Sequence, residues 1–273
     1  MLADMLALPS GQHRLPCHAC NKGARDTALS VQRHDDHAVY VCHRCGTRGR
    51  VNEKGEIRAG RAVKPSVIPE AHETLSSYWR AIWRDLNQIS AGTTAHKYLV
   101  ARGCEVPPSD GDLRCTENLK HPSGYQGPAV VGLITDVLTG EPLSLHRTWI
   151  NSDGSKADLN PPRLLLSKHR KKGGAIRLFP EVTQGLAIAE GIETALAAAK
   201  TFRPVWSAID AGNLAELPLL DGIESLTIFA DHDPAGMRGA ADCAARWAEA
   251  GREVRMWVSN EGGRDFNDEV INA

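Results

Sequence analysis

Residues 186–190 read LAIAE and residues 226–233 read LTIFADHD, and these two similar stretches decide the fold of the chain. Each is a short apolar run that ends in acidic residues and precedes a helix-like segment. Apolar runs of this length between helical patterns are typical of buried strands in a parallel sheet. Ligands bind such sheets at the carboxyl ends of the strands, so we expect Glu190, Asp231 and Asp233 to converge there.

Three converging carboxylates predict a site for a divalent metal ion. Like charges at one sheet edge repel each other, and a hard cation such as Mg2+ relieves that repulsion. The alternative is that these acids only cap the helices that follow them. For a single acid capping would be the preferred interpretation, whereas three acids at matching strand ends favour a metal site.

The composition is that of an ordinary globular protein, but the charge is unevenly distributed. The chain has 273 residues, enough for two small domains or one large one. Its net charge of −1 combines +5 in residues 1–64, +3 in residues 65–180 and −9 in residues 181–273. A basic N-terminal part together with an acidic metal site favours a polyanionic partner. The alternative is that the charges only lie on solvated surfaces that are unevenly charged.

Several classes of protein are disfavoured by what the sequence lacks. No apolar run approaches the roughly 18–20 residues of a membrane span, and the N-terminus has no basic segment typical of a signal peptide. Four of the seven cysteines form CxxC pairs, which indicates a reducing compartment, so we expect a cytoplasmic protein that does not enter a membrane. The absence of a GxxxxGK[ST] phosphate loop disfavours a helicase or ATPase.

Two CxxC pairs near the N-terminus predict a zinc ribbon with one structural Zn2+. The four thiolates belong to Cys17, Cys20, Cys42 and Cys45. Two such knuckles about twenty residues apart complete a tetrahedral site, and zinc would contribute on the order of 10 kcal/mol to folding so small a segment. His18 and His43 are alternative ligands, although the thiolate set is already complete. Residues 27–31 and 38–41 are predicted to be strands.

The ribbon is either purely structural or a contact for nucleic acid. Its seven basic residues favour the second interpretation. They are Arg14, Lys22, Arg25, Arg33, Arg44, Arg48 and Arg50.

The middle of the chain predicts helices followed by an antiparallel sheet. Apolar residues recur at helical spacing in residues 71–103, where Thr93 or Thr94 is a candidate cap for a second helix. The tryptophan and tyrosine residues of this segment are expected in the core rather than stacked on bases. Residues 129–134 and 143–150 predict two strands joined by a turn.

A basic loop precedes the acidic part of the chain. Lys168, Arg170, Lys171 and Lys172 stand just before two glycines at residues 173–174. Glycines let backbone and side chains approach phosphates closely, and a solvated basic loop is the alternative. The alternation of apolar runs and helical patterns after residue 183 predicts a small parallel sheet with helices on both faces.

The stretch ADHDPAG at residues 230–236 resembles the signature of the Toprim domain, which primases, type IA and II topoisomerases and some nucleases share. The parts upstream narrow the resemblance to the primases of phages and plasmids. They are the four-cysteine ribbon, a basic β region with HRT at residues 146–148, and KGGAIRL at residues 172–178. GRDFND at residues 263–268 is similar to the closing motif of the same group.

The resemblance implies a division of labour among the site residues. Glu190, Asp231, Asp233 and Asp265 correspond to the acids that hold catalytic Mg2+ or Mn2+. Basic residues bind nucleotide phosphates and template. By family position these are Arg147, Lys168 and Lys172, and by the charge of the same segment Lys171 and Arg177. Two positions depart from bacterial replicative primases, which have Cys-His-Cys-Cys in the ribbon and an Asp where this chain has Thr194.

These observations predict an α/β protein in four parts. They are a zinc ribbon (residues 1–55), a linker (56–74), a mixed α+β basic subdomain forming the N-terminal part of a polymerase core (75–182), and a Toprim-like parallel α/β sheet (183–273). The expected function is a DNA primase that makes short primers by metal-dependent nucleotidyl transfer. Its expected partners are single-stranded DNA and NTPs or dNTPs, and a separate replicative helicase is a further candidate.

Two alternatives remain open at this stage. One is a Toprim-type nuclease or topoisomerase-like enzyme, although a topoisomerase needs a tyrosine nucleophile and the four tyrosines here lack a recognisable context for it. The other is a non-catalytic DNA-binding replication accessory protein whose acids bind a structural ion.

Overall fold

The structure, a computed structural model, describes residues 3–20, 27–45, 47–52, 57–58 and 72–258. It divides into two compact units, Met1–Ile68 and Pro69–Ala273. The strands, numbered along the chain, are β1 (Gly11–Leu15), β2 (Leu29–Arg33), β3 (His37–Cys42), β4 (Arg48–Asn52), β5 (Ile57–Arg58), β6 (Asn87–Gln88), β7 (Leu113–Lys120), β8 (Gln126–Asp136), β9 (Pro142–Trp149), β10 (Arg163–Leu165), β11 (Gly174–Ala175), β12 (Gly185–Ala189), β13 (Val205–Ser207), β14 (Ser225–Ala230) and β15 (Glu253–Val258). The helices are α1 (Ser77–Asp85), α2 (Thr94–Ala101), α3 (Ile192–Ala198), α4 (Ala211–Ala215) and α5 (Pro234–Glu249).

The first unit is an antiparallel sheet in the order β1-β2-β3-β4-β5. Strand β3 alternates buried and exposed side chains, as a strand with one covered face must. Its buried residues pack with Met5, which lies in a 3-10 helix at Ala3–Leu6. Both strands predicted for this segment are therefore confirmed, whereas most of the predicted linker lies outside the described residues.

Two helices open the second unit, as their periodicity predicts. Helix α2 begins after Thr93, whose hydroxyl accepts the backbone N–H of His96 at 3.1 Å. Tyr98 on this helix is buried in the core, as expected, whereas Tyr78 on α1 is largely exposed. Within the described residues, every helix is too short or too polar to cross a membrane.

An antiparallel sheet in the order β10-β9-β8-β7-β6 forms the first layer of this unit, and β11 pairs with the end of β8. Strands β8 and β9 are the hairpin predicted from residues 129–150. One face of the sheet packs around Leu75 and Trp149, together with Trp79 and Trp83 of α1. The other face packs against the layer that follows in the chain.

The second layer is a parallel sheet in the order β13-β12-β14-β15, which confirms the predicted fold. Its central strands β12 and β14 are buried on both faces, which explains their uninterrupted apolar runs. Ala187 and Ala189 face α3 and the antiparallel layer, whereas Leu186 and Ile188 lie in the core with α4 and α5. The sheet thus has helices on both faces.

One bridge joins the two sheets directly. Ile176 and Ser207 pair in antiparallel fashion, with backbone N–H···O distances of 2.9 and 3.0 Å. Ser207 is the last residue of β13, so the bridge lies at the carboxyl end of the parallel sheet. The segment carrying the predicted basic loop is therefore fixed beside the edge where the acids were expected.

Candidate metal-binding sites

The four N-terminal cysteines form a ready-made tetrahedral donor set. Their sulfur atoms all lie within 4.8 Å of one another, and the Cys17–Cys45 and Cys20–Cys42 sulfurs are 3.7 Å apart. With Zn–S bonds of about 2.3 Å, the edge of a tetrahedron of sulfurs is roughly 3.8 Å. The two 3.7 Å distances match this edge, and the other sulfurs, which lie within 4.8 Å of one another, can surround Zn2+ with shifts of about 1 Å or less. The His18 ring packs edge-on against Tyr40.

The predicted acids lie at one edge of the parallel sheet. Glu190 directly follows β12, and Asp231 directly follows β14. The two strands are adjacent and in register at Ala189 and Phe229, so both acids leave the sheet at its carboxyl end. Asp233 follows two residues later at the start of α5.

Helix capping explains the position of one of these acids. The Oδ1 atom of Asp233 accepts the backbone N–H groups of Ala235 at 2.7 Å and Gly236 at 2.8 Å, which caps α5. By contrast, the N-cap of α3 is Gly191 rather than Glu190, and it makes no side-chain cap. Asp231 accepts a hydrogen bond from Thr194 at 3.3 Å. Capping of the helices that directly follow them therefore does not explain the positions of Glu190 and Asp231, although Glu190 accepts the backbone N–H of Ala211, the first residue of α4.

The carboxyl group of Glu190 lies in an electrostatically unfavourable place. Burial raises its pKa to about 7, and the charges of Asp231 and Asp233 add to the effect. One oxygen accepts the backbone N–H of Ala211, whereas Oε2 is buried and has no hydrogen-bond partner among the described residues. An unpartnered oxygen facing other carboxylates is the donor that a hard cation requires. The acid edge, meaning Glu190, Asp231 and Asp233, therefore offers a donor oxygen suited to Mg2+ or Mn2+, although among the described residues the three acids are not a set whose donor atoms come close enough to surround one ion.

The glycine of the ADHDPAG stretch is required by close packing. A Cβ atom at Gly236 would lie 2.7 Å from the carbonyl oxygen of Asp231, a contact that real structures do not tolerate. The first turn of α5 consequently packs directly onto the backbone of Asp231. This packing fixes the direction of the chain between Asp231 and Asp233.

A fourth acid at this edge, Asp210, was missed from the sequence. It follows β13 and caps α4, and its charge also contributes to the raised pKa of Glu190. The preceding residue, Ile209, has a φ of 79°. A β-branched residue rarely adopts this left-handed conformation, which costs about 1–3 kcal/mol. The available signal was an acid directly after the largely apolar stretch PVWSAI at residues 204–209, the same pattern that precedes Glu190.

The basic loop lies against α4. Lys171 forms an ion pair with Asp210, and Lys172 forms one with Glu216 at 2.7 Å. The backbone N–H of Gly173 donates to the Asn213 side chain at 3.0 Å. The loop thus reaches the acid edge, but both of its glycine amides already have protein acceptors, since that of Gly174 donates to the carbonyl oxygen of Lys171 at 3.0 Å. Lys168 is exposed with a φ of 60°.

The two predicted arginines have partners inside the protein. Arg147 is buried, with its guanidinium about 5 Å from the rings of Trp79 (5.4 Å) and Trp149 (5.3 Å), and burial lowers its pKa. Arg177 lies 4.9 Å above the Trp206 ring and donates to the carbonyl oxygen of Asp136. The Arg147 contact links the antiparallel sheet to α1, and the Arg177 contacts link that sheet to β13. A role for either residue in binding nucleotide stays a prediction.

A second polar cluster surrounds Glu193 in the first turn of α3. Its buried carboxylate accepts the hydroxyl of Tyr98 at 2.6 Å and pairs with Arg163 at 3.0 Å. Burial raises the pKa of Tyr98, and the carboxylate of Glu193 adds to the effect. Burial lowers the pKa of nearby His146 to about 4. Glu193 thus ties α2 and β10 to α3, whereas its neighbour Thr194 holds Asp231.

The remaining predicted ligand cannot be placed. Asp265 and the GRDFND stretch lie outside the described residues.

Two family models match parts of the second unit. Residues 185–272 match the Toprim domain, and residues 73–178 match a domain of unknown function (DUF7146). The Toprim match covers the parallel sheet and the acid edge, the part of the chain whose sequence resembles that domain. The four-part division and the phage or plasmid type both stay predictions.

The chain is also similar to a solved structure, the crystal structure of a DNA primase domain from Pseudomonas aeruginosa. The TM-score is 0.45 and the sequence identity 16%, over 71% of this chain and 73% of the other. No curated protein matches the sequence.

Proposed function

We propose that the protein is a DNA primase, which synthesises short primers on single-stranded DNA by nucleotidyl transfer. The observation that carries this proposal is the acid edge of the Toprim domain. There, the buried and unpartnered oxygen of Glu190 faces the charges of Asp231 and Asp233. Asp265 is proposed as a further ligand.

The acids hold the ions that this chemistry needs. Bound Mg2+ or Mn2+ supplies charge neutralisation at the triphosphate and activation of the primer 3′-hydroxyl. Asp231 is oriented for this task by Thr194. Asp233 is oriented by the helix amides that occupy its Oδ1 atom, which leaves Oδ2 for a ligand.

The basic residues act on the phosphates. Lys168, Lys171 and Lys172 lie on a loop fixed beside the carboxyl end of the parallel sheet, where positive charge offsets that of a triphosphate or template. The zinc ribbon is proposed to hold the template strand, consistent with its seven basic residues.

The direct test is primer synthesis on a mixed-sequence single-stranded DNA. The assay supplies labelled NTPs and, separately, dNTPs, with Mg2+ or Mn2+. Wild type is compared with Asp231→Asn. The matched control is Asp242→Asn, which removes an exposed acid about two helical turns into α5.

Short products from wild type and the Asp242→Asn control, but not from Asp231→Asn, support a primase. Cleavage of the template without synthesis would replace the proposal with a nuclease. Binding of the strand without chemistry, under every ion and nucleotide condition, would instead indicate an accessory protein.

A further inference from the structure

Asp210 is held at both oxygens of its carboxylate. Its Oδ1 atom accepts the backbone N–H of Asn213 at 2.9 Å, which caps α4. Its Oδ2 atom contacts the ammonium group of Lys171. An acid that only capped a helix would need the first contact alone, so the second needs another explanation.

The loop that carries Lys171 is fixed to the same place. The side chain of Asn213 accepts the N–H of Gly173 at 3.0 Å and donates to the carbonyl oxygens of Gly174 and Ala208. Asn213 is itself buried. The backbone next to Lys171 therefore cannot move away from Asp210 without breaking buried hydrogen bonds, which is costly.

This pair lies beside Glu190. Ala211, the residue after Asp210, donates its backbone N–H to the Glu190 carboxylate, and the charge of Asp210 contributes to the raised pKa of Glu190. The left-handed φ of Ile209 turns the chain into this position. Asp210 thus contacts the ammonium of Lys171 and also contributes its charge to the surroundings of the Glu190 carboxyl group.

We propose that Asp210 is a positioning residue, which holds the Lys171 ammonium beside Glu190 to meet the phosphates of a nucleoside triphosphate. This inference rests on the proposed nucleotidyl transfer. An ammonium group has three N–H donors, and the contact with Asp210 leaves others for phosphate oxygens. A lysine already held in place loses less conformational freedom when phosphate binds.

The neighbouring pair of Lys172 and Glu216 provides a matched control. It has the same chemistry, but both side chains are more than half exposed, at 76% and 52%. Lys171 and Asp210 are less exposed, at 44% and 35%. Exposed pairs order their side chains weakly, so losing the charge of Glu216 should change little.

The test is equilibrium binding of ATP with Mg2+ to the full chain, measured by titration calorimetry. Asp210→Asn keeps an oxygen to cap α4 but removes the charge that holds Lys171. Lys171→Met removes the ammonium and leaves the cap untouched, so the two variants test the pair from both sides. The double variant and Glu216→Gln complete the set.

We expect each single variant at the pair to weaken ATP binding by about 5- to 20-fold, as for loss of a charge-assisted contact. The double variant should bind as weakly as Lys171→Met alone, since Asp210 acts through that lysine. Glu216→Gln should stay within about twofold of wild type. In primer synthesis, Asp210→Asn should raise KM for nucleotide and leave kcat nearly unchanged.

Two results would overturn the inference while leaving the primase proposal intact. One is that Asp210→Asn binds ATP as tightly as wild type or more tightly, because Asp210 would then only neutralise Lys171. The other is that Lys171→Met binds ATP normally. If wild type makes primers on no template, the nucleotidyl-transfer proposal fails first and this inference fails with it.

Discussion

The cysteine cluster and the acid edge are both candidate metal sites, but they are built in opposite ways. Among the described residues, the four cysteines are the set whose donor atoms come close enough to surround one ion. The acids are more open and repel one another, and they stand on a large apolar core. A closed thiolate set suits a structural ion, whereas an open edge suits Mg2+, which uses few protein ligands together with substrate phosphates.

The difference has an energetic consequence. The first unit buries a small core, so its ion has to supply much of the folding energy. The second unit has two sheets with apolar residues packed on both faces of the parallel one, and it should fold with its acid edge unoccupied. Removing each ion should therefore have different effects.

The largest expected effect is on the first unit. Cys42→Ser, or a strong zinc chelator, should unfold it, because structural zinc contributes on the order of 10 kcal/mol. Hydrogen exchange should lose protection in β2, β3 and β4 but not in β8 and β9. All six tryptophans lie in the second unit, so their fluorescence should not change. If β3 kept its protection without zinc, the first unit would not depend on its ion for folding, and the contrast between the two metal sites would be wrong.

The next effect is on activity alone. Asp231→Asn should lower the rate of primer synthesis by about 100-fold or more. Even mutation of a residue that only supports a metal ligand commonly lowers metal affinity or activity by about 10- to 100-fold. The zinc content should stay at one ion per chain. In urea unfolding followed by tryptophan fluorescence, the midpoint should be unchanged or lie at a slightly higher urea concentration. A variant that loses activity because it unfolds would show the acid edge to be structural.

The repulsion at the acid edge should make stability depend on pH when no magnesium is present. The pKa of Glu190 is raised from its ordinary value of 4.5 to about 7, so the folded state binds its proton more tightly than the unfolded state. The free energy of unfolding should then fall as pH rises from about 4.5 through about 7, by about 1–2 kcal/mol after allowance for solvent screening.

Urea unfolding monitored by tryptophan fluorescence can check this, with zinc retained. Glu190→Gln should remove most of the pH dependence, and Mg2+ should reduce it in wild type. A wild-type stability that rises over this range would contradict the assigned cause.

The smallest effect separates the two tasks of Asp233. Asp233→Ala should lower the free energy of unfolding by about 1 kcal/mol, because the cap of α5 is lost. Asp233→Asn keeps the cap, so it should retain stability while still lowering primer synthesis. Melting curves of the two variants measure their stability, and initial rates measure their primer synthesis. Equal activity in wild type and Asp233→Asn would leave capping as the only role of this residue.

Sequence alone was sufficient where a pattern and its structural cause are local. The two apolar runs ending at Glu190 and Asp231 predict parallel strands because both faces of such strands are buried. The CxxC pairs predict a metal site because each pair forms a single tight turn. Neither inference depends on contacts between distant parts of the chain.

Sequence was insufficient where the answer depends on which surfaces meet. The family resemblance singles out Arg147, but only the fold shows that its guanidinium lies against the rings of two tryptophans. Asp210 was missed because its importance comes from Lys171, thirty-nine positions away. Contacts of this kind leave no periodic signal in the chain.

The bridge between Ile176 and Ser207 also affects the tendency of this protein to aggregate. An outer strand of a sheet offers unpaired amide and carbonyl groups, which invite strands from neighbouring molecules and start aggregation. At the carboxyl end of β13 those groups are already taken by the protein's own chain. The same two hydrogen bonds that place the basic loop thus shield one end of the parallel sheet from unwanted association.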